Sequence, residues 1–345
     1  MANQQTGTPR FFIDFTQLAK LKGYYYWEED VQNVNKIVSN REERNNNIWN
    51  FDLYNPQTYE AIESNPDFYF RLTQDTTFSR IVNQSNWAGF FNHDFSSTLT
   101  EQSTIKFGIV NTVENTQSSR TISDSSDFEI NCSINKNGFS LGTFSEIGSV
   151  YNPDLVYLGL RNASLGEFSV SSALFGRYYD MPQSPDLNIT KSISYDGYKI
   201  NQSLGGSDYV QINNFGSPDW LNGEPFSLSH KDETPSRTGR HGRRMWKLSY
   251  SYIDADKVFY DTNRLNTFGD LVSAEGSETN ELSAGSEIQQ IYDLTLGGAL
   301  SFIFCPDPSV DNPEIAQCRI LQNSLSANQV AYNTWNISMD IIEVW

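Results

Sequence analysis

The chain has 345 residues, a formal net charge of −18 and 14% aromatic residues, among them 18 Tyr and 22 Phe. That length holds two or three domains with real cores. The aromatic content argues against disorder, and the acidic balance against free nucleic-acid binding, which needs a basic footprint on the phosphates. Residues 1–10 carry no apolar run behind a basic segment, so no signal peptide is expected, and no stretch approaches the ~18 apolar residues of a membrane helix.

Residues 1–49 are polar and Asn-rich around the cluster Tyr24-Tyr25-Tyr26-Trp27. Residues 9–15 read as an extended strand and the rest as an arm or short helices lying on a neighbour. An exposed aromatic cluster marks an interface; the same rings would equally pack under the chain's own body, and both readings stand. From 50 to 186 short strands (87–91, 104–110, 127–134, 154–161) alternate with Asn, Ser, Thr, Gly and Pro turns, the pattern of a sandwich or jelly roll. Pro182 and Pro185 forbid a central strand and place a domain boundary at 182–186.

Beyond the boundary, residues 188–204 read as a hairpin turning at Asp196-Gly197 and ended by Gly205-Gly206, and 207–236 as a long polar loop. Residues 245–253 set Trp246, Leu248, Tyr250 and Tyr252 against Met245, Lys247, Ser249 and Ser251, which at a period of two puts one aromatic and aliphatic row on a buried face. The low-complexity stretch 261–287 reads as an arm to a neighbouring subunit or a surface loop, the arm being favoured. Residues 300–305 form a compact apolar strand between Gly297-Gly298 and Pro306-Asp307-Pro308, and 336–344 a half-buried closing strand. The expected fold class is therefore all-β: an N-terminal arm (1–49), a jelly-roll or β-sandwich module (50–186) and a C-terminal β-sandwich (187–345) with the insertion 261–287.

No motif for catalysis emerges. His93, His230 and His241 belong to no metalloprotease or nucleophile-elbow pattern, and a carboxylate pair found among 42 acidic residues would mean little. Asp307, Asp311 and Glu314 lack the spacing of a calcium loop and read as a turn-rich segment. Cys132, Cys305 and Cys318 fit no zinc motif; a 305–318 bridge is open, with free buried thiols the preferred reading. No enzyme activity, metal or cofactor is expected. The basic run Arg237, Arg240, His241, Arg243, Arg244 and Lys247 stands out against the overall charge and reads as an electrostatic docking patch for an acidic neighbour, including another copy of the chain.

Several blocks of the last third carry a family resemblance. Arg244 precedes Trp246, Leu248 and Tyr250; Gly297-Gly298 precedes Phe302 and Phe304; Cys318-Arg319 forms a pair; and the chain ends Glu343-Val344-Trp345. In order and content these blocks resemble the minor tail and distal tail proteins of tailed bacteriophages, which form rings at the end of the tail tube. Residues 86–95 (NWAGFFNHDF) resemble a strand and turn of the discoidin-like, galactose-binding jelly rolls attached to such proteins, with Asp94 where an Asn is more familiar. That resemblance makes Asn92, His93 and Asp94 a candidate ligand loop; the residues themselves read more simply as a turn capping its own backbone.

The resemblance implies a structural virion protein, a tail or baseplate ring or tail-tip subunit assembled in the host cytoplasm. Its partners would be copies of itself in a ring and other tail proteins, with no membrane and no specific nucleic acid. The interface residues expected from the aromatic cluster, the basic run and the closing strand are Tyr24, Tyr25, Tyr26, Trp27, Arg240, Arg243, Arg244 and Trp345. The second reading is a receptor- or carbohydrate-binding tail adhesin contacting host-surface glycan, for which Tyr178-Tyr179-Asp180 is the nearest sequence candidate.

Overall fold

The computed structural model describes residues 7–22, 25–26, 37–38, 51, 57–61, 68–74, 84–93, 99–110, 127–130, 139–144, 155–163, 167–194, 198–212, 217–218, 240–241, 243–259, 286–310 and 313–344. The fold is all-β. In chain order its strands are β1 (Arg10–Asp14), β2 (Tyr25–Tyr26), β3 (Ile37–Val38), β4 (Gln57–Ala61), β5 (Phe68–Gln74), β6 (Trp87–His93) and β7 (Leu99–Val110). There follow β8 (Asp127–Ile130), β9 (Phe139–Thr143), β10 (Leu155–Ala163), β11 (Glu167–Asp180), β12 (Thr190–Ser194), β13 (Tyr198–Gln202) and β14 (Asp208–Ile212). The last are β15 (Ser217–Pro218), β16 (Arg240–His241), β17 (Arg243–Asp254), β18 (Phe302–Cys305), β19 (Ala316–Ile320), β20 (Ser326–Ala331) and β21 (Thr334–Glu343). The described residues divide into two compact units, one drawn from Met1–Phe11, Asp180–Tyr260 and Gly285–Trp345, the other from Phe12–Tyr179 and Asp261–Ala284.

In the N-terminal unit, β2, β5, β10, β7 and β8 form an antiparallel sheet in that order. The long strand β11 pairs with β4 over Glu167–Val170 and with β6 over Val170–Gly176, and β6 pairs onward with β9. Every residue of β6 is buried, which explains why WAGFFNH shows no alternation. Phe107 of β7 lies 5.2 Å from Phe144 and 5.5 Å from Phe175 of β11, so aromatic rings join the two sheets face to face as in a sandwich. Trp87 packs edge-on against Phe12 at 5.5 Å and donates its indole N–H to the Ile13 carbonyl. A Cβ on Gly176 would collide with that same carbonyl oxygen, so only glycine lets the backbones approach.

Phe12, Ile13 and Phe15 are therefore core residues of this unit, and Phe11 packs on Phe302 and Phe304 at 5.3 and 5.2 Å in the other. The expected strand at 9–15 is present as β1, but over residues 7–22 the arm reading gives way to a buried strand and the helix Phe15–Lys22. Asp14 caps that helix: its carboxylate accepts from the backbone N–H groups of Thr16 and Gln17.

The C-terminal unit is built on an antiparallel sheet ordered β12-β17-β21-β19-β18, with β20 added to β21. The period-two reading of β21 holds and that of β17 holds as far as Tyr250: Trp246, Leu248 and Tyr250 are buried together with Ile337, Met339 and Ile341, but Tyr252, expected in the same row, is exposed because a bulge between Tyr250 and Ile253 shifts the register and buries Ile253 instead. An unexpected helix, Glu287–Leu294, buries Ile288, Ile291 and Leu294. Ser286 caps its start by accepting from the Gln289 N–H, and it ends through Leu296, Gly297 and Gly298, all at positive φ. Glu287 thus opens a helix rather than ending the low-complexity stretch; residues 261–285 of that insertion lie outside the described residues.

The segment around Pro182–Asp186, expected as a connection, is laid on β17 within this unit. Met181 N–H donates to the Pro9 carbonyl and Asp186 N–H to the Ser249 carbonyl, Gln183 reaches the Ser251 carbonyl, and Pro185 is buried. The two compact units divide between Tyr179 and Asp180. The expected hairpin at Asp196-Gly197 is also revised: β12 pairs with β17, and β13 pairs with β14 across a turn at Gly205-Gly206.

Candidate functional site

The sequence candidates fall in separate places. Arg244, in the basic run, turns inward. Its backbone N–H and Nε donate to Glu343 Oε2 at 2.9 Å, one terminal nitrogen to Glu343 Oε1 and the other to Glu314 Oε1, both at 2.6 Å. Lys191 closes the network on Glu314 at 2.7 Å, and both cations lie over the Trp246 ring at 5.5 and 5.7 Å. Strand register places these groups together: Lys191 faces Trp246, Ile193 faces Arg244, and Met245 faces Ile342 one step from Glu343.

Burial opposes the Arg244 charge, but Glu343 and then Glu314 outweigh it and hold the guanidinium protonated more firmly than usual. Burial likewise opposes the Glu314 charge, and Lys191 and Arg244 overcome it, so its pKa falls. The docking-patch reading of Arg244 is thereby corrected: its charge is neutralised inside the chain and ties β12, β17, β21 and the approach to β19. Arg243 on β17 is also engaged. Lys247 sits 3.8 Å from Asp340, and Arg240 has its backbone in β16 opposite Pro218, its side chain outside the described residues.

Asn92 and His93 are corrected too. Both lie buried in β6, not in a turn or an open loop; Asn92 Nδ2 donates to Ser171 Oγ at 2.9 Å and His93 Nε2 contacts Ser140 Oγ at 2.8 Å. Burial depresses the His93 pKa to about 3, so the ring is neutral at ordinary pH. Asp94 lies outside the described residues. Tyr25 and Tyr26 form β2 at the end of a five-stranded sheet; Tyr24, Trp27 and Trp345 lie outside the described residues. Of the adhesin candidates, Tyr179 is buried and Asp180 takes two hydrogen bonds from Arg10.

Cys305 and Cys318 are free and buried. Register explains why: Cys318 faces Phe302 while Cys305 lies three residues further along β18. Burial raises the Cys305 thiol to about 11, and burial followed by the charge of Glu343 raises Cys318 further, so both are inert. Asp307 accepts from the Ser309 backbone and hydroxyl, a turn as expected. Among the described residues no group of His, Cys, Asp and Glu could hold a metal ion, and no helix is long and apolar enough to cross a membrane.

The arrangement best suited to act lies where the sequence was read as plain hairpin and loop. Between residues 187 and 210 the C-terminal unit exposes Leu187, Ile193, Ile200, Leu204, Tyr209 and Val210, each more than half accessible. Ile200 and Val210 are cross-strand partners in the hairpin β13–β14, so their side chains share one uncovered face. Leu204 stands at the tip, where Gly206 N–H donates to the Ser203 carbonyl and Gly206 takes φ +85°. The signal was legible as alternation on both sides of Gly-Gly. Comparison of the chain with family models, with curated proteins and with solved structures finds no match.

Proposed function

We propose that the chain is a structural subunit of a larger assembly, docking through the hairpin β13–β14 and the adjoining edge strand β12, and that the assembly is the tail of a bacteriophage virion. The observation that carries the assembly reading is the hairpin itself. A two-stranded ribbon is marginal alone in water, and this one leaves Ile200, Leu204, Tyr209 and Val210 over half exposed, so a partner surface would stabilise it. The reading as a ring or tail-tip component rests on the resemblance of the C-terminal blocks. In its support, Arg244, Trp246, Cys318, Arg319 and Glu343 lie on β17, β19 and β21, strands of one sheet. Electron microscopy of particles made without this protein tests the proposal. Unfinished or tipless tails are expected; complete tails that merely fail to adsorb would favour the adhesin reading, and wholly normal particles would remove both.

A further inference from the structure

Strand β12 is the outermost strand of the C-terminal sheet, and among the described residues it pairs with β17 alone. Its other backbone edge is open, and open edges are ordinarily blunted by a proline, a bulge or a charge. β12 has none of these. Its sequence, Thr190-Lys191-Ser192-Ile193-Ser194, contains no proline, and its register against β17 runs without a shift from end to end. Its one charge is met within the chain: Lys191 reaches both oxygens of Glu314, at 2.7 and 2.8 Å, with its ammonium over the Trp246 ring. What the edge presents is a row of hydroxyls and Ile193, which is 58% exposed. β20, which pairs only with β21, shows the contrast, since its register shifts between Gln329 and Ala331 and a bulge interrupts its edge.

The sequence of β12 is complementary to itself. Laid antiparallel on its own copy with Ser192 opposite Ser192, it sets Thr190 against Ser194 and Lys191 against Ile193. No two charges oppose one another, and the aliphatic stem of Lys191, held in place by Glu314, lies along the exposed Ile193 of the other copy. We propose that β12 pairs in this way with β12 of a second copy about a twofold axis at Ser192, so that the two C-terminal sheets run on as one. The contact is isologous: it satisfies the open backbone groups of both edges at once and closes as a pair. This pairing rests on the assembly reading of the same edge, names its partner, and gives the hairpin β13–β14 no part in the contact.

Sedimentation velocity of the purified full chain across a concentration series tests it. The parent should populate a dimer. Ser192→Lys and Ser192→Glu, each alone, oppose like charges at the axis and should weaken that dimer at least about tenfold. An equal mixture of the two variants opposes unlike charges and should recover it, which also shows that both variants fold. Ile200→Asp with Val210→Lys, on the hairpin, should dimerise as the parent does. A parent monomeric at every concentration, a position-192 variant that dimerises as tightly as the parent, a mixture no tighter than its components, or a dimer lost in the hairpin variant would each overturn the pairing. None of these results touches the assembly reading itself, which stands or falls on particles made without the protein.

Discussion

Arg244 was legible as a conspicuous cation but not as a buried one, because its partners Glu314 and Glu343 lie 70 and 99 residues away and only strand register joins them. Glu343 is 5% exposed. Replacing Arg244 by Gln leaves that carboxylate without its counter-charge, which should cost about 3 kcal/mol in urea unfolding; a loss below about 0.5 kcal/mol would return the residue to the surface-patch reading. Asp14 and His93 are buried with opposite consequences for pH. Burial holds His93 neutral down to about pH 3, while the unfolded chain protonates it near its ordinary 6.5. Its contribution is therefore full above 6.5 and falls as pH drops. Burial also raises Asp14 from 3.8 to about 6, against the bonds from Thr16 and Gln17. The folded form then favours the protonated acid, and Asp14 lowers stability as pH rises from 3.8 to about 6. Each slope is about 1.4 kcal/mol per pH unit, so the two offset one another between about pH 4 and 6. In Asp14→Asn the histidine slope should stand uncovered. The variant's unfolding free energy relative to the parent should rise by about 3 kcal/mol from pH 4 to 6, and parallel curves would show that Asp14 does not titrate there.

Among the elements, β17 and β21 were readable because each alternates against a single buried face, and β6 because turn residues bound an aromatic run. The helix Glu287–Leu294 was given no element in the sequence reading although Ser286 and the spacing of Ile288, Ile291 and Leu294 announce it; the Gly-Gly beyond it was taken as strand punctuation rather than a helix stop. The partner of β13 was misassigned because Asp196-Gly197 and Gly205-Gly206 are both good hairpin turns, and only the competing pairing of β12 with β17 decides between them. The helix stop itself is strained: Leu296 N–H donates to the Asp293 carbonyl and Gly297 N–H to the Tyr292 carbonyl, with Leu296 at φ +51° where glycine is the usual residue. Leu296 is 45% exposed, so Leu296→Gly should raise stability by about 0.5–1 kcal/mol in chemical denaturation. The neighbouring Gly298, at φ +89° with the Ile320 carbonyl where a Cβ would go, should lose more than about 2 kcal/mol as alanine. A stabilised alanine variant would mean the turn is not built as described.

For the whole molecule, a net charge of −18 opposes self-association, so an assembly surface must be one where little charge is brought together. The hairpin β13–β14 meets this condition: over residues 198–212 its charged residues are Lys199 and Asp208, one of each sign. Its apolar pair Ile200 and Val210 is uncovered within the chain, so covering it elsewhere is favourable at about 25 cal/mol per Å² of apolar surface removed from water. Replacing Ile200 by Asp and Val210 by Lys together keeps opposite charges across the ladder, which supports the strand pairing itself, while making the face unfit for an apolar partner. Since neither side chain is buried, circular dichroism and Tm should be unchanged, the shift in stability staying within about 0.5 kcal/mol. Incorporation into virions, followed by quantitative mass spectrometry of purified particles, should fall to background. Unchanged Tm with normal copy number in the particle would show that the hairpin is not the docking surface and would move the search to the β2 edge of the N-terminal unit, where Tyr25 and Tyr26 end the five-stranded sheet.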